Sequence, residues 1–155
     1  LARSGFYNGI HFHRVIPDFM DQFGCPYARD AKSGRAGTGG PPDGEYKNLK
    51  TGAMVSRSNG GNIPDEHAAK ISNQPGTFSM ANTGAPNTGG SQFFMNVVHN
   101  DFLDWFEPAT PSKHAVYGQV IEGLDGVLAI SRVPTLADCA PVTPVLIERF
   151  EIDFN

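Results

Sequence analysis

Cysteine is scarce in this chain: two residues in 155, Cys25 and Cys139, far apart, with neither a CxxC pair nor the spacing of a zinc site. That argues against a disulfide-stapled fold, and free thiols are the expected state. Long apolar runs are missing as well. None approaches the ~20 residues that cross a bilayer as a helix, so no membrane-spanning helix is expected. Charge of one sign never accumulates: 12 basic residues stand against 16 acidic ones, net −4, which leaves no electrostatic footprint for nucleic acid. A phosphate cradle is also lacking. Gly37-Thr38-Gly39-Gly40-Pro41 is glycine-rich, but no P-loop lysine follows and no strand-to-helix context surrounds it. The stretch reads as part of a loop running from Cys25 to Asn62.

What is present fits one folded domain over residues 1–155: 39% hydrophobic residues and 11 Phe, enough for a core at this length. Gly and Pro make up about a fifth of the chain, below the roughly 25–30% of low-complexity sequence, so the chain reads as folded but rich in loops. Extended signals recur at Ile10 to Ile16, Met20 to Gly24, Gly52 to Ser56, Thr77 to Asn82, Gln92 to Val98, His114 to Ile121 and Val145 to Phe154. Helical signals are few. Leu124, Val127, Leu128 and Ile130 recur at helix spacing before Pro134, and Pro64 with acids after it suggests a short helix over Asp65 to Ser72. Many strands and few helices predict a mainly β architecture, a barrel or a sandwich. The chain starts at Leu1, and its first residues, up to Phe6-Tyr7, read like the end of a helix.

The segment Phe12-His13-Arg14-Val15-Ile16-Pro17-Asp18-Phe19-Met20-Asp21-Gln22 places a guanidinium among apolar neighbours. Strand alternation puts Phe12, Arg14 and Ile16 on one face and His13 and Val15 on the other. Two readings stay open on this segment alone. Arg14 could lay its stem on apolar surface and keep its head in water, or it could be the fixed donor of a binding surface joined by Phe19, Met20 and Gln22. A second segment, Phe78 to Asn96, reads as strand, Gly/Pro/Asn turn and strand. Its second half alternates Phe93, Met95 and Val97 against Gln92, Phe94 and Asn96, a core face beside a face that pairs amides with an aromatic ring.

Together these segments, followed by Phe102-Leu103-Asp104 and by His114-Ala115-Val116-Tyr117-Gly118-Gln119-Val120, closely resemble the cyclophilins, the peptidyl-prolyl cis–trans isomerases, in the family's order from about Gly5 onward. The resemblance implies a closed antiparallel β-barrel capped by helices. In that family two strands and most of a helix come before this point, so the resemblance also implies that this sequence lacks the family's opening. It makes Arg14, Phe19, Gln22 and His114 the expected catalytic residues. Phe19, Met20, Phe94 and Leu103 would form a proline pocket with His114 at its edge. Gln22 and the backbone of Asn82 would position the peptide, while Ala81, Thr83 and Gln92 line the groove and Phe102 stands at its rim. The Gly37 to Gly40 stretch would line a secondary pocket. No cofactor and no metal are implied. The expected partners are proline-containing peptides and unfolded or flexible protein segments, the expected state is a monomer, and a cytoplasmic location is expected with periplasmic and secreted alternatives left open.

Phe102 stands where several family members carry a Trp whose indole N–H bonds cyclosporin, so weakened cyclosporin binding is expected. Trp105 belongs to an insertion running to Ser112, and Ala85 adds a residue to the turn after Thr83, so the rim is expected to differ in shape. Three rival readings compete with this one. His11-Phe12-His13 offers two imidazoles on one strand face, but a metal site lacks its further ligands. Ser91 lacks a nucleophile elbow and a partnered His–Asp, which argues against an esterase or protease. A non-catalytic proline-binding module with the same fold is the third.

Overall fold

A computed structural model describes residues 1–153. The chain opens with a 3₁₀ turn at Ala2–Ser4 and then lays down β1 (Ile10–His11), β2 (Arg14–Ile16) and β3 (Met20–Phe23). A 3₁₀ turn at Pro26–Arg29 leads to the hairpin of β4 (Gly44–Lys47) and β5 (Met54–Arg57). There follow β6 (Thr77–Met80), β7 (Phe93–Asn96), a 3₁₀ turn at Asp101–Leu103, β8 (Val116–Gln119), helix α1 (Leu124–Ile130) and β9 (Leu146–Ile147). The central sheet is antiparallel in the order β2-β3-β7-β6-β8. β1 pairs with β9, and β4 pairs with β5. The strands thus form three separate sheets among the described residues, and the closed barrel expected from the sequence is not formed there.

β7 shows why this sheet is stable. It is buried on both faces, and alternation sends Phe93 and Met95 into the main core with Tyr7, Ile10, Phe12, Val15, Phe23, Cys25, Ala28, Val97 and Val127. Phe93 is its aromatic hub, with ring centroids 4.0 Å from Phe23, 5.5 Å from Tyr7 and 5.8 Å from Tyr117. Phe94 leaves on the opposite face, into a second cluster of Met20, Ala81 and Leu103 backed by Ile16 and Phe19. Gly24 closes β3 against the approach to β7. Its φ is +96°, and a Cβ there would lie 2.3 Å from the Ser91 carbonyl oxygen, so no other residue fits this turn.

Four expectations are corrected. The strand read over Ile10 to Ile16 is two strands, because the chain changes partners at Phe12-His13: the Phe12 N–H bonds the Val145 carbonyl, whereas the Val15 N–H bonds that of Cys139. Phe12 consequently joins Val15 in the main core rather than sharing the face of Arg14. The segment 25–62 is not all loop, since β4 and β5 form a hairpin closed by Asn48, whose side-chain oxygen accepts the Lys50 and Thr51 N–H groups. Asp65 to Ser72 is not helical. Its polar groups are engaged by tertiary partners: the Asp65 N–H by Asn87, the Ala69 carbonyl by Trp105, and the Ser72 hydroxyl by Asp104. The strand read over Val145 to Phe154 is paired only at Leu146–Ile147. Beyond it the Phe150 N–H is taken by the Asn8 side chain, and Phe154 lies outside the described residues. Helix α1 falls where its apolar spacing puts it. Both cysteines are free thiols, Cys25 buried and Cys139 partly so.

Candidate active site

Cross-strand register builds the site. Residues directly opposite in an antiparallel pair share a face, and Arg14 lies opposite Gln22, which lies opposite Phe94. Two residues along, Ile16 lies opposite Met20, which lies opposite Asn96. One face of the β2-β3-β7 sheet therefore carries the guanidinium, an amide and a ring in a row, with Ile16, Met20 and Asn96 as the row beside it. Phe19, in the turn before β3, stacks on Phe102 with centroids 5.8 Å apart and 25° between planes. The 3₁₀ turn delivers Leu103 into the same cluster as Met20, Ala81 and Phe94. His114 meets Phe94 edge-on at 5.3 Å. Phe102 is 52% exposed at the rim. Trp105, in the insertion, stacks flat on His67 at 4.9 Å and donates to the Ala69 carbonyl.

On the other side of Gln22, a cavity of about 750 Å³ is lined by Gln22, Ala81, Asn82, Thr83 and Gln92, by the Gly37 to Pro42 stretch, and by Asn59 and Gly60. Its far wall is the base of the β4–β5 hairpin, where Asp43 accepts the Gly60 and Gly61 N–H groups at 2.9 and 2.7 Å. Asn82 ties its side chain to two backbone segments, donating to the Lys113 carbonyl at 2.7 Å and accepting the Gly84 N–H of its own loop. Thr83 is tied to Thr88 at 3.0 Å.

The electrostatics are simple. Arg14 is exposed and donates to the Gln22 side-chain oxygen at 3.4 Å. His114 is nearly buried, and that burial pushes its imidazole below the usual histidine range. With Nδ1–H donating to the Met80 carbonyl at 2.9 Å, Nε2 accepts from the Ser112 hydroxyl at 3.0 Å. This is a neutral ring with both nitrogens engaged, which makes it a wall rather than a proton donor. His13, beside Arg14 in the chain, is pushed down to about 4, by burial first and by the Arg14 charge second. Arg14 is the one fixed charge on this row.

The sequence reading missed what lies beneath the pocket. Asp104 is buried and accepts the Asn73 backbone and side-chain N–H groups, both at 2.7 Å, and the Ser72 hydroxyl. Asn73 in turn accepts from Ser79 at 2.6 Å. The Asn96 amide donates to Thr77 and Ser79, and Asn100 donates both to Asn96 and to the Phe19 carbonyl at 3.0 Å. This polar floor pins Phe19 and the turn carrying Leu103. Asn96 was visible on the site face from its alternation. Asn73 and Asn100 sit in irregular segments with no periodic signal.

A family model described as cyclophilin type peptidyl-prolyl cis-trans isomerase matches residues 1–152. The chain belongs to that family. A peptidyl-prolyl cis-trans isomerase of Acinetobacter baylyi is 37% identical over 134 residues, covering 86% of this chain and 57% of the relative. One from Rhizopus delemar is 34% identical over 97% of this chain and 19% of its own length. The chain thus spans little more than half of the first relative and about a fifth of the second. Among solved structures, a Cryptosporidium parvum cyclophilin type peptidyl-prolyl cis-trans isomerase, crystallised in the presence of the dipeptide Ala-Pro, superposes with a TM-score of 0.74 at 25% identity, covering 100% of this chain and 81% of that one. The mainly β fold is therefore the cyclophilin fold.

Proposed function

We propose that this chain catalyses cis–trans isomerisation of X–Pro peptide bonds in proline-containing peptides and in flexible or unfolded protein segments. One observation carries the reading: the row Arg14, Gln22, Phe94 on one sheet face, flanked by the apolar cluster of Phe19, Met20 and Leu103. The barrier to be lowered, ~18–20 kcal/mol, comes from amide resonance. No bond breaks, so the reaction needs only an environment that binds the twisted amide better than the planar one. As the amide twists, its nitrogen becomes pyramidal and basic, and a guanidinium that never deprotonates can donate to it. The apolar cluster supplies a surface for the pyrrolidine ring, and the neutral His114 bounds it without competing for the proton. The Ala-Pro dipeptide named with the Cryptosporidium relative supports a proline-bearing ligand.

Arg14 is exposed, which puts its contribution in the range of a charge-assisted hydrogen bond, about 1.5–3 kcal/mol, rather than that of a fully dry site. At 1.36 kcal/mol per decade, Arg14→Ala should slow isomerisation of an Ala-Pro peptide roughly 10- to 150-fold. Equal rates for the two proteins, measured by exchange NMR, would sink the mechanism.

A further inference from the structure

We infer that Gln92 is a positioning residue for Arg14, acting through Gln22 by a relay of fixed amide polarity that starts in the Gly37 to Gly39 loop; this rests on the isomerase reading above. A glutamine amide can face either way, with a carbonyl at one end and an NH₂ at the other, and only its partners decide. Here the partners decide at every link. The Gln92 NH₂ donates to two backbone carbonyls, those of Gly37 at 2.9 Å and Gly39 at 2.8 Å. A carbonyl cannot donate, so Gln92 must present Oε1 at its other end, and that oxygen accepts the Gln22 NH₂ at 3.0 Å. Gln22, having turned its donor toward Gln92, must present Oε1 to Arg14, where it accepts from Nη1 at 3.4 Å. Reversing either amide would set a donor against the guanidinium or an oxygen against a carbonyl.

The far end of the relay is rigid. Gly39 lies so close to Tyr27 that a Cβ would meet the ring at 2.7 Å, and its N–H donates to the buried Cys25 sulfur at 3.3 Å. The glycine loop therefore does more than border the cavity. Its carbonyl dipoles fix which end of Gln22 faces the arginine 3.4 Å away, so the side chain that would donate to the prolyl nitrogen is held from a loop on the other side of Gln92.

The test uses Gln92→Leu, Gln92→Glu, Gln22→Met, Arg14→Ala and the Gln92→Leu/Arg14→Ala double variant, with thermal unfolding checking that each is folded. Two readouts are taken: kcat and KM on an X–Pro peptide, and the rotation rate of the Arg14 Nη groups by side-chain ¹⁵N NMR. Gln92→Leu should lower kcat about fivefold, the factor for one lost net hydrogen bond, with KM changed less than twofold. It should speed Nη rotation and add no further loss in the Arg14→Ala background. Gln22→Met, which deletes the acceptor itself, calibrates the full Nη signature, and Gln92→Glu, whose carboxylate cannot donate to the Gly37 and Gly39 carbonyls, decides the matter by the same readouts if Gln92→Leu does not fold. Unchanged Nη rotation in a folded variant, or a Gln92→Leu loss that persists undiminished without Arg14, overturns the relay. The NMR arm needs no turnover, so a wild-type protein without isomerase activity would refute the proposed function and still leave the relay decided.

Discussion

Asp21 should make this protein lose stability as the pH rises through the weakly acidic range, and replacing it should remove that loss. It sits in mid-β3, opposite Val15 on one side and Met95 on the other, on the face that carries the main core. It is 0% exposed, and neither carboxylate oxygen has a hydrogen-bond partner among the described residues. Burial pushes its carboxyl from 3.8 up to about 7. Between those two values the folded protein holds the proton while the unfolded chain has released it. The unfolded state therefore binds fewer protons across this window, and stability falls from about pH 4 to about pH 7 and is level above. At 1.36 kcal/mol per pKa unit the full effect is about 4 kcal/mol. Water entry and relaxation around a buried ion reduce this, to roughly 2–4 kcal/mol.

Asp21→Asn keeps the shape and cannot ionise. In urea unfolding at about pH 4.5 and about pH 8, the wild-type protein should lose roughly 2–4 kcal/mol more than the variant between the two conditions. The variant should be the more stable protein at the higher pH. Superimposable pH profiles would refute the reasoning, because they would mean that Asp21 finds a donor or water in solution and carries no desolvation penalty.

Three further outcomes are expected. Gly24→Ala should destabilise by more than about 2 kcal/mol in the same unfolding assay, since its Cβ would strike the Ser91 carbonyl oxygen from a positive φ; a loss under 0.5 kcal/mol would show that the turn can relax. Phe102→Trp should tighten cyclosporin binding about tenfold or more by calorimetry, through an indole donor at an exposed rim position, with isomerase activity retained; unchanged affinity would refute the expectation that Phe102 weakens that binding. Isomerase activity should show no break at the ordinary histidine value near pH 6.5, because burial pushes the His114 imidazole below the usual range; a break there would reveal an ionising ring at the site.

The elements that could be read from the chain were those whose side chains alternate between two different environments. β7 is the clearest, because Phe93 and Met95 face one cluster and Phe94 the other. β5 was legible as the extended stretch at Gly52 to Ser56, but its hairpin partner β4 gave no such signal. Most of its residues are exposed, so only the backbone ladder and the Asn48 turn hold it, and neither leaves a hydrophobic pattern. The helix read at Asp65 to Ser72 had start signals but no apolar stripe to bury, and tertiary partners took its polar groups instead. At the site, strand period and register were enough to put Gln22 and Phe94 beside Arg14. The amide relay was out of reach, because Gln22 and Gln92 are 70 residues apart and a glutamine carries no mark of which way it will turn.

Because β7 divides the two clusters, the site cannot be altered independently of the fold. Asn96 leaves β7 on the site side and donates to Thr77 and Ser79, whereas its own oxygen holds Asn100, which in turn holds the Phe19 carbonyl. Its strand neighbour Met95 packs in the main core opposite Asp21. A change in core packing that shifts β7 therefore moves the donor that fixes Phe19, and with it the stacked Phe19–Phe102 rim. Close-packed interiors transmit such shifts rather than absorbing them. The polar floor converts the shift into a change at the pocket, because buried amides lose a full hydrogen bond when they slip. The exposed Arg14 is reached by the same shift, because Gln22 lies opposite Phe94 and Gln92 directly precedes β7, and these two amides carry the link from the glycine loop to the guanidinium. Core substitutions that move β7 should therefore alter peptide preference and the guanidinium's aim together.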